Sequence, residues 1–179
     1  MTTILAERVW GLHAGLPMRA LVAALLAIPV AAAAQQWKWT EHAYPDDGFR
    51  VEFNGSVLVR QLKPGPGMVR GAQYLQEGET FLYVVGASLN KFGTLLDTGA
   101  EKSFAGLDCR RRTGSRSFQA PWGPARELRG RDCVDGSYEA EARYYQAGAW
   151  FYQVIALYKD EGGDAVAARY FLQSFKATR

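Results

Sequence analysis

Apolar and polar residues alternate with a period of two over much of the chain. Phe49, Val51 and Phe53 alternate with Arg50 and Glu52, which predicts a half-buried strand. Ahead of it, Trp37 and Trp39 share one face of an extended stretch, Gln35–Tyr44, expected to be an arm pinned to the core by its indoles. Pro45-Asp46-Asp47-Gly48 is a turn. Asn54-Gly55 turns the chain into a second strand at Val57–Leu62, and Pro64-Gly65-Pro66-Gly67 breaks it before a third at Met68–Gln76. Glu77-Gly78-Glu79 closes a hairpin into Thr80–Leu89, rich in β-formers and read as a central strand.

The period then changes. Leu95, Leu96, Gly99, Lys102, Ser103 and Leu107 follow helical spacing, which predicts a helix over Leu95–Gly106. Arg110–Gln119 and Ala125–Asp132 flank turn chemistry at Ala120-Pro121-Trp122-Gly123-Pro124 and form a hairpin. In Ser137–Gln146, Tyr138, Ala140, Ala142 and Tyr144 alternate with Glu139, Glu141 and Arg143. Gly148 turns the chain into Trp150–Lys159, an almost unbroken apolar strand expected in mid-sheet. Asp164 is the expected N-cap of a last helix, Asp164–Lys176, with Val166, Ala167, Tyr170, Phe171 and Phe175 as its apolar stripe. The whole is an α+β arrangement, an antiparallel sheet with helices packed on its faces.

The first 34 residues stand apart. Leu21–Ala34 is a 14-residue run without a charged or polar side chain, directly after Met18-Arg19. A basic residue, a short apolar stretch and small residues make a secretory signal peptide over 1–34, with cleavage after Ala34 and Ala33 as the alternative. The run is shorter than the roughly 20 residues a membrane span needs. Glu7 and His13 precede a second methionine, so translation is expected to start at Met18. The absence of a cysteine at the cut argues against a lipid anchor. The absence of paired arginines argues for Sec-type export in the unfolded state, which disfavours a cofactor inserted before export. Residues 35–179 remain as a single domain, long enough to close a core.

Charge adds little. The full chain holds 21 basic and 18 acidic residues, and the leader takes only Glu7, Arg8 and Arg19. That near-balance gives no general push toward nucleic acid or membrane. The two cysteines, Cys109 and Cys133, lie directly opposite each other if the hairpin pairs as read, close enough to bridge. In a periplasmic compartment they form one disulfide, the alternative being two reduced buried thiols. No Cys-x-x-Cys occurs to support a redox role.

Candidate chemistry is sparse. His42 is the one histidine after cleavage, and on an arm it reads as a solvated surface side chain rather than a catalytic base. One histidine and two paired cysteines exclude an ordinary structural zinc site. Asp160-Glu161-Gly162-Gly163-Asp164 departs from calcium-loop spacing and reads as a turn and helix cap. Phosphate-loop, dinucleotide and nucleophile-elbow motifs do not occur, so no cofactor is expected.

One segment stands out. Between Asp108 and Cys133 lie Arg110, Arg111, Arg112, Arg116, Arg126, Arg129 and Arg131 against Asp108, Glu127 and Asp132, a surplus of four positive charges. Arginine suits bidentate contacts to carboxylate and phosphate. Alternation along a strand sends neighbouring arginines to opposite faces, however, so they cannot all form one patch. Two readings stay open: a charge-protected edge hairpin, or an anion-binding surface.

Asp46-Asp47-Gly48-Phe49-Arg50-Val51-Glu52-Phe53 and Phe171-Leu172-Gln173-Ser174-Phe175 resemble the opening strand and closing helix of a group of small exported bacterial proteins. Those proteins look like the PsbP-type fold of the photosystem II extrinsic subunit, an antiparallel sheet sandwiched between helices. The resemblance implies that fold and non-catalytic partner binding, and it brings no active-site residues. The expected function is an exported, periplasmic, non-catalytic binding or assembly module for a protein or envelope component, without nucleic acid and without a membrane span after cleavage. The alternatives are a polyanion binder working through the arginine hairpin and, remotely, a small carboxylate-dependent hydrolase.

Overall fold

The computed structural model describes residues 37–91, 95–159 and 163–178. The signal segment, its cleavage point and Asp160-Glu161-Gly162 of the candidate calcium loop lie outside the described residues. The elements run β1 (Thr40–Tyr44), β2 (Phe49–Phe53), β3 (Leu58–Gln61), β4 (Met68–Glu77), β5 (Phe81–Asn90), α1 (Leu96–Ala105), β6 (Arg111–Ala120), β7 (Gly123–Cys133), β8 (Tyr138–Ala147), β9 (Trp150–Tyr158), α2 (Asp164–Ser174) and β10 (Lys176–Ala177).

Seven strands form an antiparallel sheet in the order β3-β4-β5-β9-β8-β7-β6. The nearly continuous apolar strand β9 is its middle member, as its sequence predicts. Both of its faces are covered. Trp150, Tyr152, Val154, Ala156 and Tyr158 pack with Phe171 and Leu172 of α2 and with β2, while Phe151, Ile155 and Leu157 pack with Ala100 and Phe104 of α1. A strand buried on both sides has no polar face to keep wet. The architecture is thus α+β, with a helix on each face of the sheet.

The expected single sheet is in fact two. Strands β1, β2 and β10 form a separate three-stranded sheet in the order β1-β2-β10. It sits over the α2 side of the large sheet, where Phe49, Val51 and Phe53 enter the core. The N-terminal arm therefore becomes a strand from Thr40 onward, with His42 paired to Val51. Trp37 packs edge-on to Phe81, and Trp39 meets Tyr83 and Tyr170, so the indoles do pin the segment as expected.

The last helix departs from expectation at both ends. Gly163, at φ 96°, is the N-cap, and Asp164 is the first helical residue, buried and without a capping hydrogen bond. The helix stops at Ser174. Phe175 turns extended, and Lys176-Ala177 pairs with Arg50 and Phe49. Its buried stripe is Asp164, Ala167, Ala168, Phe171 and Leu172. Val166 and Tyr170, expected inside, are 70% and 43% exposed.

The Cys109–Cys133 disulfide is formed. Near it the hairpin keeps the expected register, with Arg111 opposite Arg131 and Arg112 opposite Gly130. A bulge at Thr113 then shifts the pairing by one, so Gly114 faces Arg129 and Ala120 faces Gly123. The connection is tighter than the five-residue loop expected, since only Pro121 and Trp122 lie between the strands. Gly123 is required there: at φ 147° an added Cβ would lie 2.0 Å from the Gln146 carbonyl oxygen. At the other end Gly130 makes room for the disulfide, since a Cβ would come within 2.8 Å of Cys109 Sγ.

Candidate binding surface

The structure divides the seven arginines between two faces. Arg112 and Arg126 reach toward α1. Arg112 donates to both oxygens of Glu101, at 3.1 and 2.6 Å, and Arg126 donates to Asp97 at 2.6 Å and to Glu101 at 2.7 Å. The hydrogen bonds from Arg112 and the charges of both arginines hold the Glu101 carboxyl below its ordinary range. This pair of side chains ties α1 to the sheet. Arg111 pairs with Asp132 at 2.8 Å, and Arg110 lies near Gly136 in the turn between β7 and β8.

Arg116, Arg129 and Arg131 lie on the opposite face, as does Arg111 across from Arg131. There the neighbouring strand adds Glu139, Glu141 and Arg143, and α2 adds Arg169. The hub is Glu127, whose side chain is only 4% exposed. Arg116 donates to its two oxygens at 3.2 and 2.9 Å, and Arg143 Nε donates at 3.0 Å. Arg129 Nη2 stands 2.7 Å from Oε1. Burial alone pushes the Glu127 carboxyl upward, but the hydrogen bond from Arg116 and the charges of Arg129 and Arg143 together outweigh it, and the net direction is down. Glu141, also buried, accepts a hydrogen bond from the Tyr158 hydroxyl at 3.1 Å and is flanked by Arg129 at 3.8 Å and Arg169 at 3.6 Å. Burial and the Glu141 charge push the Tyr158 phenol well above its usual value. Arg131 pairs with Glu139 at 3.0 Å.

This face holds Arg116, Arg129, Arg131, Arg143 and Arg169 against Glu127, Glu139 and Glu141, a surplus of two positive charges. Two openings flank Arg129. One, of about 350 Å³, is lined by Gly114, Ser115, Arg116, Glu127 and Arg129. The other, of about 240 Å³, is walled mainly by Arg129, Arg131, Arg169, Glu139, Glu141 and Tyr158. The structure thus brings Arg116, Arg129 and Arg131 together around the buried glutamates, with Arg111 beside Arg131 at the margin, and adds Arg143 and Arg169, which the sequence reading missed. The signal for Arg143 is its place in an alternating strand beside the hairpin. Arg169 becomes legible only when α2 is set on the sheet.

A second concave feature joins the turn before β2 to β4. Asp47, expected to be only a turn residue, is buried and accepts a hydrogen bond from the Tyr74 hydroxyl. Arg70 pairs with it at 3.1 Å and stacks over Trp150 at 5.2 Å. Their cavity of about 230 Å³ is walled by Tyr44, Tyr74, Arg70 and Gln61. His42 is outside it, half-buried between Tyr44 and Phe53.

Among the described residues, the carboxyls of Glu101, Glu127 and Asp135 are each moved down. None is thereby a proton donor near neutral pH. Among the described residues, no three His, Cys, Asp or Glu side chains cluster so as to hold a metal. No helix among them is long and apolar enough to cross a membrane.

Comparison of the sequence with protein-family models and with curated proteins returns no match. Among solved structures, the chain is similar to the solution structure of cyanobacterial PsbP (CyanoP) from Synechocystis sp. PCC 6803. The TM-score is 0.55 at 14% identity, over 78% of this chain and 92% of that one. The fold is therefore PsbP-like, as the sequence resemblance implies; at this identity the similarity speaks for the fold alone.

Proposed function

We propose that the protein is an exported, periplasmic, non-catalytic binding or assembly module that docks a protein partner or envelope component on the arginine face of β6, β7 and β8. The observation that carries this reading is the surplus of guanidinium groups around Glu127 and Glu141, beside two open cavities. A hairpin that needed charge only to prevent edge pairing would be served by exposed side chains alone. Here the arginines are instead oriented by buried carboxylates, which fixes their donors before anything binds. The leader and the disulfide support export to an oxidising compartment.

The polyanion reading uses the same face and is favoured by its net positive charge. The hydrolase reading needs a carboxyl kept protonated near neutral pH, and the downward direction at Glu127 opposes it. A native mass spectrum of the protein released gently from its own periplasm tests the proposal. The expected result is a chain lacking 1–34 and two hydrogens, carrying a second chain or an acidic ligand that salt removes. Turnover of a substrate by the purified protein, with no bound species, would count against it.

A further inference from the structure

Three guanidinium groups converge on one carboxylate at Glu127, and Arg129 and Arg169 share Glu141, so the four arginines and two carboxylates leave a surplus of two positive charges. Arg143 is largely enclosed, 15% exposed, and its Nη1 donates to the Leu172 carbonyl at 3.3 Å. Arg116 and Arg129 are different, with side chains 60% and 44% exposed. They stand on either side of Gly114. The bulge at Thr113 determines this arrangement, because without the shift Thr113 and not glycine would face Arg129. The stem of Arg129 lies against Gly114, 3.5 Å from where an added Cβ would stand. The result is the opening of about 350 Å³ whose rim is Gly114, Ser115, Arg116 and Arg129, with Glu127 as its floor.

We infer that this opening is a phosphate subsite, which takes a dianionic phosphate group between Arg116 and Arg129. The inference rests on the proposed reading of this face as the docking surface and names its ligand chemistry. A dianion matches the surplus of two. A phosphate monoester offers three oxygens to the N–H donors that Arg116 and Arg129 have left after pairing with Glu127, which holds both side chains in place, whereas a single carboxylate offers two oxygens and leaves one charge unmet. The floor carboxylate repels the incoming anion, and the charges of Arg143 and Arg129 offset that repulsion. The phosphate could belong to a lipid headgroup or to a soluble ester such as a phosphorylated glycan.

Titration of the purified protein with inorganic phosphate, followed through the Gly114 amide and the arginine Nε–H resonances, is the test. Saturable shifts are expected at Gly114, Arg116 and Arg129. Binding should weaken roughly tenfold in Arg116→Gln, the loss of one charge-assisted contact, and be unchanged in Arg60→Gln on the far edge strand β3. Equal weakening in both variants, or shifts spread evenly over the basic surface, would overturn the subsite. The wild-type resonances alone decide the matter if a variant unfolds. Vesicles containing phosphatidic acid and soluble glycerol phosphate separate the two sources: binding that Arg116→Gln weakens in either arm supports the subsite and names the source, and binding in neither overturns it. A salt-sensitive partner that persists without phosphate binding would remove this inference and leave the docking function standing.

Discussion

Glu127 is a carboxylate whose ionisation the fold maintains through Arg116, Arg129 and Arg143. Its folded pKa lies below the ordinary value of 4.5, so the stability it contributes is present above that value and is lost as pH falls through the folded pKa. Unfolding by urea should therefore become easier as pH falls below 4.5, and Glu127→Gln should flatten this part of the pH profile. The same variant should cost about 3 kcal/mol at pH 7, because it leaves Arg143 enclosed without its counter-charge. Arg116→Gln should cost under about 1 kcal/mol, since that side chain is mostly in water. Alternation places Glu141 and Arg143 on one face of their strand, but their burial, and that of Glu127, was not legible. A one-sided sheet and a sheet covered on both sides alternate alike where the second face carries charge.

The elements were largely readable because each carries its own period. Strands β4 and β5, helix α1 and the mid-sheet place of β9 follow from local pattern. What failed depends on tertiary contacts. The last helix gives up Phe175 and Lys176 because an edge of β2 is free to pair with Lys176-Ala177. Its buried stripe is rotated from the expected one, since Tyr170 reaches outward to stack on Trp39 and to donate to Glu52 at 2.8 Å. Phe171→Ala should then destabilise by about 3–4 kcal/mol, and Val166→Ala should change stability by no more than about 0.5 kcal/mol. Chemical denaturation of the two variants checks the rotation; comparable losses would restore the expected stripe. The cysteine pairing was legible from spacing and turn chemistry, whereas the bulge at Thr113 was not, because nothing local marks it. Replacing Cys109 and Cys133 together by serine should cost about 3 kcal/mol in the chain-entropy account, measured as a lower urea midpoint under non-reducing conditions.

At the scale of the molecule, the two edges of the large sheet contrast. Strand β3 at one end exposes Leu58 and Val59, while β6 at the other carries Arg111, Arg112 and Arg116 beside a bulge. The arginine edge discourages pairing with a second copy and, on its α2 side, opens onto the oriented guanidiniums around Glu127. The proposed docking surface was legible in the sequence only as far as the arginine-rich hairpin. Which arginines act together depends on the bulge, the register and the position of α2. Crosslinking in intact cells distinguishes docking on the arginine face from docking elsewhere, with a photoreactive residue in place of Thr113 beside that face or of Val59 on the far edge. A discrete adduct is expected from position 113, lost when Arg116 and Arg129 are replaced by glutamine, and none from position 59. An adduct from position 59 alone, or one from position 113 that survives those replacements, would contradict docking on the arginine face.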